Sequence, residues 1–434
     1  LSLSPDNNGR RVAIIRGLRT PFAKSGTLFE NLSSLDLGKI AVVELLNRTE
    51  IAPNEIDRVF IGNVIPSVRT PNIAREIALG SGVPSSVPAF TVTSACASAS
   101  HAFTSAVDSI LSGDSGIVIA GGVDSAHDSS YLAGKGQRSR LYGQAKGINL
   151  IDRAMPLFKM GSGEDAISLP LMPERSSGHT LGEAAEKLAR KYHISREDQD
   201  SFAVRSHTLA SRAQAEGIFE DEIIHTFVPP DFTDIVSADN CVRYDISPET
   251  LAALSPIFDK EFGTVTEGNS APLSDGASLM LLMSEDKARA LGYKPIAYVK
   301  SYAYSAVDPS DELLMGPAYS TPTALDRAGI GLDDIDLIEV HEAFSSQVIA
   351  YVRALGSKGF AKEKLGRSQP IGEVDMERLN VSGGSIAIGH TLGATGARII
   401  MTLAYRMSKR KGNFGLVSLA SAGGIGVSLV LEKE

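Results

Sequence analysis

The chain has 434 residues, 43% of them hydrophobic and 21% charged, the balance of a folded globular protein and not of a disordered, fibrous or membrane one. That length exceeds what a single core fills, so at least two packed units are expected. A formal charge of −9 supplies no global field for phosphate backbones and argues against nucleic acid, while leaving room for a local basic groove that takes an anionic, nucleotide-bearing ligand.

Cys96 and Cys241 are the only cysteines, too few for a disulfide framework or a thiolate metal cage, and they suit a reducing compartment. No apolar run reaches the ~20 residues that span a bilayer, and residues 1–11 hold no stretch of signal-peptide character. The expected location is cytoplasmic, or the mitochondrial matrix if a transit peptide has been removed.

In chain order, Val12–Ile15 is a short apolar run that reads as a buried strand, and Leu35–Leu46 repeats apolar residues at helical spacing. A strand is expected over Ile56–Ile61, a helix over Ser98–Leu111, and a strand over Gly116–Ala120 ending in Gly121-Gly122. Such alternation argues for an α/β sheet with helices on both faces. From Ala126 to Leu254 the texture changes: Leu181–Tyr192 and Arg196–Ala215 look like amphipathic, surface-facing helices, and strand signals are few. Ile148–Phe158 is more apolar than a solvated loop, which suits either a helix packed on its own domain or a contact with a membrane surface or partner subunit.

An internal repeat organises the chain. Leu46, Asn47, Arg48, Ile51, Ile56 and Asp57 are echoed at identical spacing by Leu325, Asp326, Arg327, Ile330, Ile335 and Asp336, with a strand after each set. A second pairing sets Gly116–Ala120 beside Gly415–Leu419. Two matches in the same order favour duplicated α/β halves that face each other.

Cys96 lies in a run of small residues, Thr93–Ser100, that opens a helix. A helix N-terminus stabilises a thiolate, and small neighbours leave room for a substrate, so a nucleophile is plausible; a buried structural thiol fits equally well. His341 follows the apolar strand Leu337–Val340, at the carboxyl end where α/β sheets bind ligands. His390 is flanked by Gly389, Gly393 and Gly396, where a backbone can approach a ligand closely. With Cys96 the two histidines make a Cys/His constellation suited to acyl transfer. The turn Ala420–Gly426 lacks the dinucleotide glycine spacing; its backbone N–H groups could stabilise an oxyanion. Gly263–Ala277 is a further turn-rich segment that reads equally well as plain loop.

These residues carry a resemblance to the thiolases, and most to those forming the β subunit of fatty-acid-oxidation multienzyme complexes. It spans Gly17–Phe22, Pro71–Glu76, the Cys96 segment, Gly263–Ala277, His341–Phe344, Gly389-His390 and the terminal glycine turn. The resemblance implies a thiolase fold of two duplicated βαβαβ halves in a layered α-β-α-β-α arrangement with an inserted loop domain: 10–125 plus 255–288, 126–254, and 289–434. It implies Cys96 as the nucleophile, His390 as general base, and His341, where many thiolases carry Asn, on the thioester oxygen. Backbone N–H groups of Cys96 and Ala422 would form a second oxyanion hole. Leu181, Asn269, Ser270 and Phe344 would bind substrate, with Leu181 where the family usually has Met. Coenzyme A is implied as a substrate and acyl-CoA as its partner ligand; no tightly bound cofactor, metal, flavin or nicotinamide is. A homodimer is implied, able to pair with a hydratase/dehydrogenase α subunit.

One departure matters: thiolases place a second cysteine, the acid/base for the acetyl-CoA carbanion, where this chain has Ala420. Losing such a group typically removes ~10²–10⁴-fold in rate. An engineered substitution, a natural paralogue with altered chemistry, or another group in the role would each account for it. Two further readings stay open: a decarboxylating condensing enzyme with a Cys-His-His site, and a CoA-binding scaffold subunit.

Overall fold

The computed structural model describes residues 9–126 and 177–433. Ile148–Phe158 lies outside the described residues. The first half runs β1 (Val12–Arg19), β2 (Ala23–Lys24), α1 (Ser34–Thr49), β3 (Arg58–Gly62), α2 (Ile73–Gly80), β4 (Ala89–Val92), α3 (Ser98–Leu111) and β5 (Ile117–Asp124). Then come α4 (Leu181–Lys191), α5 (Arg196–Ala215), a hairpin of β6 (Thr226–Val228) and β7 (Asp234–Val236), and β8 (Ser274–Ser284). The second half contains β9 (Ala297–Ala306), α6 (Gly316–Ala328), β10 (Leu337–Val340), α7 (Ser345–Gly356), α8 (Thr395–Lys409), β11 (Phe414–Ser421) and β12 (Ile425–Glu432).

The halves repeat one topology. In the first the order is β4-β3-β5-β8-β1, and in the second β10-β11-β12-β9, with the fifth place held by a parallel bridge between Ile338 and Leu379. Each half combines parallel pairs (β3 with β5, β10 with β11) and antiparallel ones (β8 with β1, β12 with β9) at matching positions. The halves do more than face each other: β1 and β9 pair antiparallel over Val12–Ile14, joining both into one sheet.

Alternating side chains sort into layers, as the two-residue period of a strand requires. Ala13, Ile15 and Leu279 pack under α1 and α2; Val12, Ile14, Leu419 and Leu429 pack on Phe103 of α3 and Ile399 and Ile400 of α8; Leu416 and Val430 pack under α6 and α7. The result is the α-β-α-β-α arrangement. The helices between the sheets, α3 and α8, begin beside Cys96 and His390 respectively.

The duplication extends to polar detail. The Asp57 carboxylate accepts from Gly116 N and Ile117 N at 2.7 and 2.9 Å, and the Asp336 carboxylate accepts from Asn413 N and Phe414 N at 2.6 and 3.0 Å. Each ties a β-strand to the start of its parallel neighbour. This equivalence corrects one sequence pairing: Arg58 faces Val118 while Leu337 faces Gly415, so Gly116 corresponds to Asn413 and not to Gly415. A slip of two residues preserves which side chains face each layer, which is why the shifted pairing resembled a repeat.

Between β5 and β8, the insertion is anchored by buried charge. Arg19, fully buried at the end of β1, makes two bonds to Asp239 at 2.6 and 2.9 Å and one to Glu222 at 2.8 Å. The Gly17–Phe22 motif is thus a structural anchor for the insertion. Helix α5 is less surface-facing than its sequence suggests, burying Asp200, Phe202, Ser206 and His207. No described helix is long and apolar enough to cross a membrane.

Candidate active site

Cys96 stands two residues before α3, after Ala95 at φ 46, a left-handed conformation uncommon for a residue with a side chain. The bend is pinned locally: Ser98 Oγ donates to Ala95 O at 2.6 Å and accepts from Ser94 N at 2.8 Å. It is pinned from the other half too, where Ser421 Oγ accepts from Ala97 N at 3.2 Å and donates to Ser94 O at 3.0 Å. The elbow therefore aims the thiol inward at the helix N-terminus, where the backbone dipoles favour a thiolate.

The aim point is His390, whose Nε2 lies 3.1 Å from Cys96 Sγ. Its other nitrogen, Nδ1, lies 2.7 Å from Thr395 Oγ1, and that hydroxyl donates its own hydrogen to Thr391 O at 2.9 Å. Thr395 can then only accept from the ring, so Nδ1 carries the proton and the Nε2 lone pair faces the thiol. Burial, followed by the Arg398 charge, lowers His390 to about 3, keeping it a neutral base. Gly389 precedes it at φ 109, where a Cβ would sit 2.8 Å from Ser274 Oγ and 3.2 Å from Cys241 Sγ. Only glycine permits that approach.

His341 completes the group: its ring centroid is 4.2 Å from that of His390, and one donor atom from each of Cys96, His341 and His390 lies within 4.8 Å of the others. Nδ1 of His341 is 2.8 Å from Ser385 Oγ, while Nε2 is buried without a hydrogen-bond partner among the described residues. Burial holds His341 well below the ordinary imidazole range.

Gly263–Ala277 is no plain loop. Ala271 N donates to Ala343 O at 3.0 Å, Ser274 N to His390 O at 3.1 Å, and His390 N to Pro272 O at 2.8 Å, so this segment ties the two histidine loops together. Asn269 corrects an expectation. Fully buried, it holds Asp200 at 2.9 Å, Thr264 O at 3.1 Å and Thr266 N at 2.8 Å, and it is not on the cleft wall; it shapes the loop that carries Ser270.

Above Cys96 and His390 opens a cleft of about 610 Å³, lined also by Leu181, Phe258, Ser270 and Phe344, with Lys24 and Arg243 as cations on its wall; His341 lies fully buried behind this lining. Three of the four expected substrate-binding residues face it. Gly182 lets α4 approach Phe258, whose ring lies 2.0 Å from where a Cβ would be. Ala420, 1% exposed, brings no titratable atom, and its neighbour Ser421 is committed to the Cys96 elbow. Ala422 opens the turn after Ser421. Cys241 is buried, and burial pushes its thiol up to about 12, which holds it protonated. Sequence inspection missed the orienting roles of Thr395, Ser385, Arg398 and Ser421; Ser421 lies in the terminal turn and Thr395 between Gly393 and Gly396, but neither stretch marks the hydroxyl as an anchor.

A buried thiol 3.1 Å from a histidine nitrogen of fixed tautomer, with a second buried histidine beside it, set at an apolar cleft at the meeting of two duplicated halves, is an arrangement able to carry acyl transfer on a thiolase fold. The chain matches the thiolase N-terminal domain over residues 12–286 and the thiolase C-terminal domain over residues 293–433. It belongs to the thiolase family. Among its relatives, a 3-ketoacyl-CoA thiolase of Shewanella sp. (strain W3-18-1) is 45% identical over 98% of both chains, and one of Yersinia enterocolitica serotype O:8 is 44% identical over the same shares. A crystal structure of the Bacillus anthracis acetyl-CoA acetyltransferase superposes with a TM-score of 0.84 at 33% identity, again over 98% of both chains.

Proposed function

We propose that the chain is a 3-ketoacyl-CoA thiolase that cleaves its substrate with CoA into acetyl-CoA and a shortened acyl-CoA. The observation that carries this is the 3.1 Å contact between Cys96 Sγ and the His390 lone pair on the floor of an apolar cleft. In the reaction, His390 takes the Cys96 proton and the thiolate attacks the 3-keto carbon. The oxyanion at that carbon meets the backbone N–H groups of Cys96 and Ala422, and His341 faces the thioester oxygen. The C2–C3 bond breaks, leaving an acyl-Cys96 thioester and the enolate of acetyl-CoA; protonation of the enolate consumes, directly or through solvent, the proton that His390 took from Cys96, so His390 is neutral again for the second half. The CoA thiol then attacks acyl-Cys96, and its proton returns through His390 to the Cys96 sulfur. Apolar residues of the cleft suit the acyl chain, and Lys24 and Arg243 suit the anionic CoA.

Enolate protonation is the step for which position 420 offers no donor. CoA-dependent loss of a long-chain 3-ketoacyl-CoA, followed on this chain and its Ala420→Cys variant, tests the reading. The expected result is slow cleavage that the thiol accelerates by about 10²-fold or more. Equal activity would show that another group serves, and no cleavage by either would refute the thiolase assignment. In that case the adjacency of Cys96, His341 and His390 favours a decarboxylating condensation, for which malonyl-CoA turnover is the test.

The assembly proposed is a homodimer, supported by β4: among the described residues it pairs only with β3, and Phe90 on it is 46% exposed and stacked on Phe60. Pairing with a hydratase/dehydrogenase α subunit, and a cytoplasmic or matrix location, are proposed with it, on the resemblance of His341–Phe344 to the complex-forming thiolases. Co-purification and sedimentation test both partners.

A further inference from the structure

Behind His341 lies a buried polar chain that the reaction above does not use. Arg398 Nη2 donates to Ser385 Oγ at 2.9 Å, and Ser385 Oγ lies 2.8 Å from His341 Nδ1; all three side chains are fully buried. A guanidinium has donors only, so the serine oxygen accepts from it. The serine hydrogen then needs an acceptor, and among the described residues the one within reach is His341 Nδ1. Nδ1 is therefore the acceptor, and the single ring proton of neutral His341 sits on Nε2. That nitrogen is the one buried without a partner beside Cys96 and His390. The opposite tautomer would set an N–H and a guanidinium against one hydroxyl, whose hydrogen would then be stranded.

We propose that Arg398 and Ser385 are positioning residues that hold His341 as an Nε2–H donor aimed at the thioester oxygen, so that the donor is in place before the enolate forms. The role rests on the thiolase reading. Three further features support it. The Arg398 side chain reaches Glu339 only at 3.9 Å, and its Nε and Nη1 find no hydrogen bond among the described residues, so this buried cation is not consumed by an ion pair. Burial raises Glu339 to about 8, which leaves that neighbour largely uncharged at neutral pH. Burial first, and this cation after it, disfavours protonation of both histidines, so His341 stays a neutral donor and His390 a neutral base.

The test is a double-mutant cycle of Ser385→Ala with His341→Asn on the full chain, in the Ala420→Cys background if parental cleavage is slow. Asparagine has one amide donor group and needs no tautomer. Two rates are read: single-turnover cleavage of a 3-ketoacyl-CoA, which builds the enolate, and exchange of labelled CoA into an acyl-CoA, which uses Cys96 and His390 without it. Ser385→Ala is expected to slow cleavage by about 10²–10³-fold with little change in KM. Exchange is expected to slow far less. In the His341→Asn background, the same substitution is expected to change cleavage by no more than about twofold. Equal losses in both rates, or a loss undiminished in the His341→Asn background, would mean a structural role and overturn the proposal. A chain that forms no acyl-enzyme at all would fail the thiolase reading instead. The tautomer can then still be read from histidine ¹⁵N shifts: the expected Nε2–H form should be lost in Ser385→Ala, and an Nδ1–H form in the parent would overturn the assignment.

Discussion

Replacing Ser421 by Ala removes one hydroxyl that bonds both sides of the nucleophile elbow, Ala97 N at 3.2 Å and Ser94 O at 3.0 Å. Ala97 is fully buried, but its N–H keeps a second acceptor, Ser94 O at 3.0 Å, so it is not stranded; Ser94 is half-buried, and its carbonyl is partly resolvated. The two losses together cost roughly 1–2 kcal/mol, since neither leaves a buried group without a partner. At about 2.1 cal/mol/K per residue, a 434-residue chain has an unfolding entropy of roughly 0.9 kcal/mol/K, so the expected fall in melting temperature is about 1–2 °C. The effect on chemistry is larger. Ala95 occupies a conformation that costs about 1 kcal/mol or more, and the elbow relaxes when a restraint is lost. A displacement near 1 Å costs about 10²-fold in rate. Acylation of Cys96 by an acyl-CoA, followed by quenched-flow mass spectrometry, is expected to slow 10- to 100-fold, on the order of that displacement penalty, while Ser421→Thr keeps most of the rate. Full acylation rate in Ser421→Ala would refute the clamp.

Thr395→Val keeps the shape but removes the acceptor for His390 Nδ1–H, and is expected to slow alkylation of Cys96 by about 10²-fold; an unchanged rate would show that the ring needs no such anchor. The pH dependence follows from two lowered histidines. His390, near 3, stays a base, so Cys96 acylation should remain level from pH 8 to about 5, and a fall centred near the ordinary imidazole value of about 6.5 would contradict the site. Between those values the unfolded chain binds protons that the folded one refuses, so this share of stability is complete above about 6.5 and lost as pH falls toward 3, measurable by urea unfolding. Asp57→Ala and Asp336→Ala should each cost about 1–2 kcal/mol, and the double variant their sum, because the two sites lie in separate halves. Strong non-additivity would mean the two carboxylates are not independent anchors.

What could be read from the chain alone divides along the range of the interaction. Helices Ser98–Leu111 and Arg196–Ala215 fall at their expected bounds, since apolar spacing is local. Cys96 and His390 were legible because each stands amid small residues, where a site needs room, and His341 because it follows the end of an apolar strand. Their orienting partners were not. Thr395 opens α8, Ser385 sits in a one-turn helix and Arg398 reads as an ordinary basic residue of an amphipathic helix; only folding brings them behind the rings. Asn269 misled for the converse reason, being polar in a polar turn yet aimed into the core at Asp200. The place of Ser421 shows the same limit, because the loop it clamps is 324 residues distant.

The measurement that tests the central claim most directly is the intact mass of the chain after incubation with an acyl-CoA lacking a 3-keto group, with released CoA counted in parallel. The expected result is one acyl adduct per chain, mapped by peptide digestion to Cys96, reversed by added CoA and absent from Cys96→Ala. An unmodified chain, or an adduct that survives the loss of Cys96, would contradict an acyl-Cys96 enzyme.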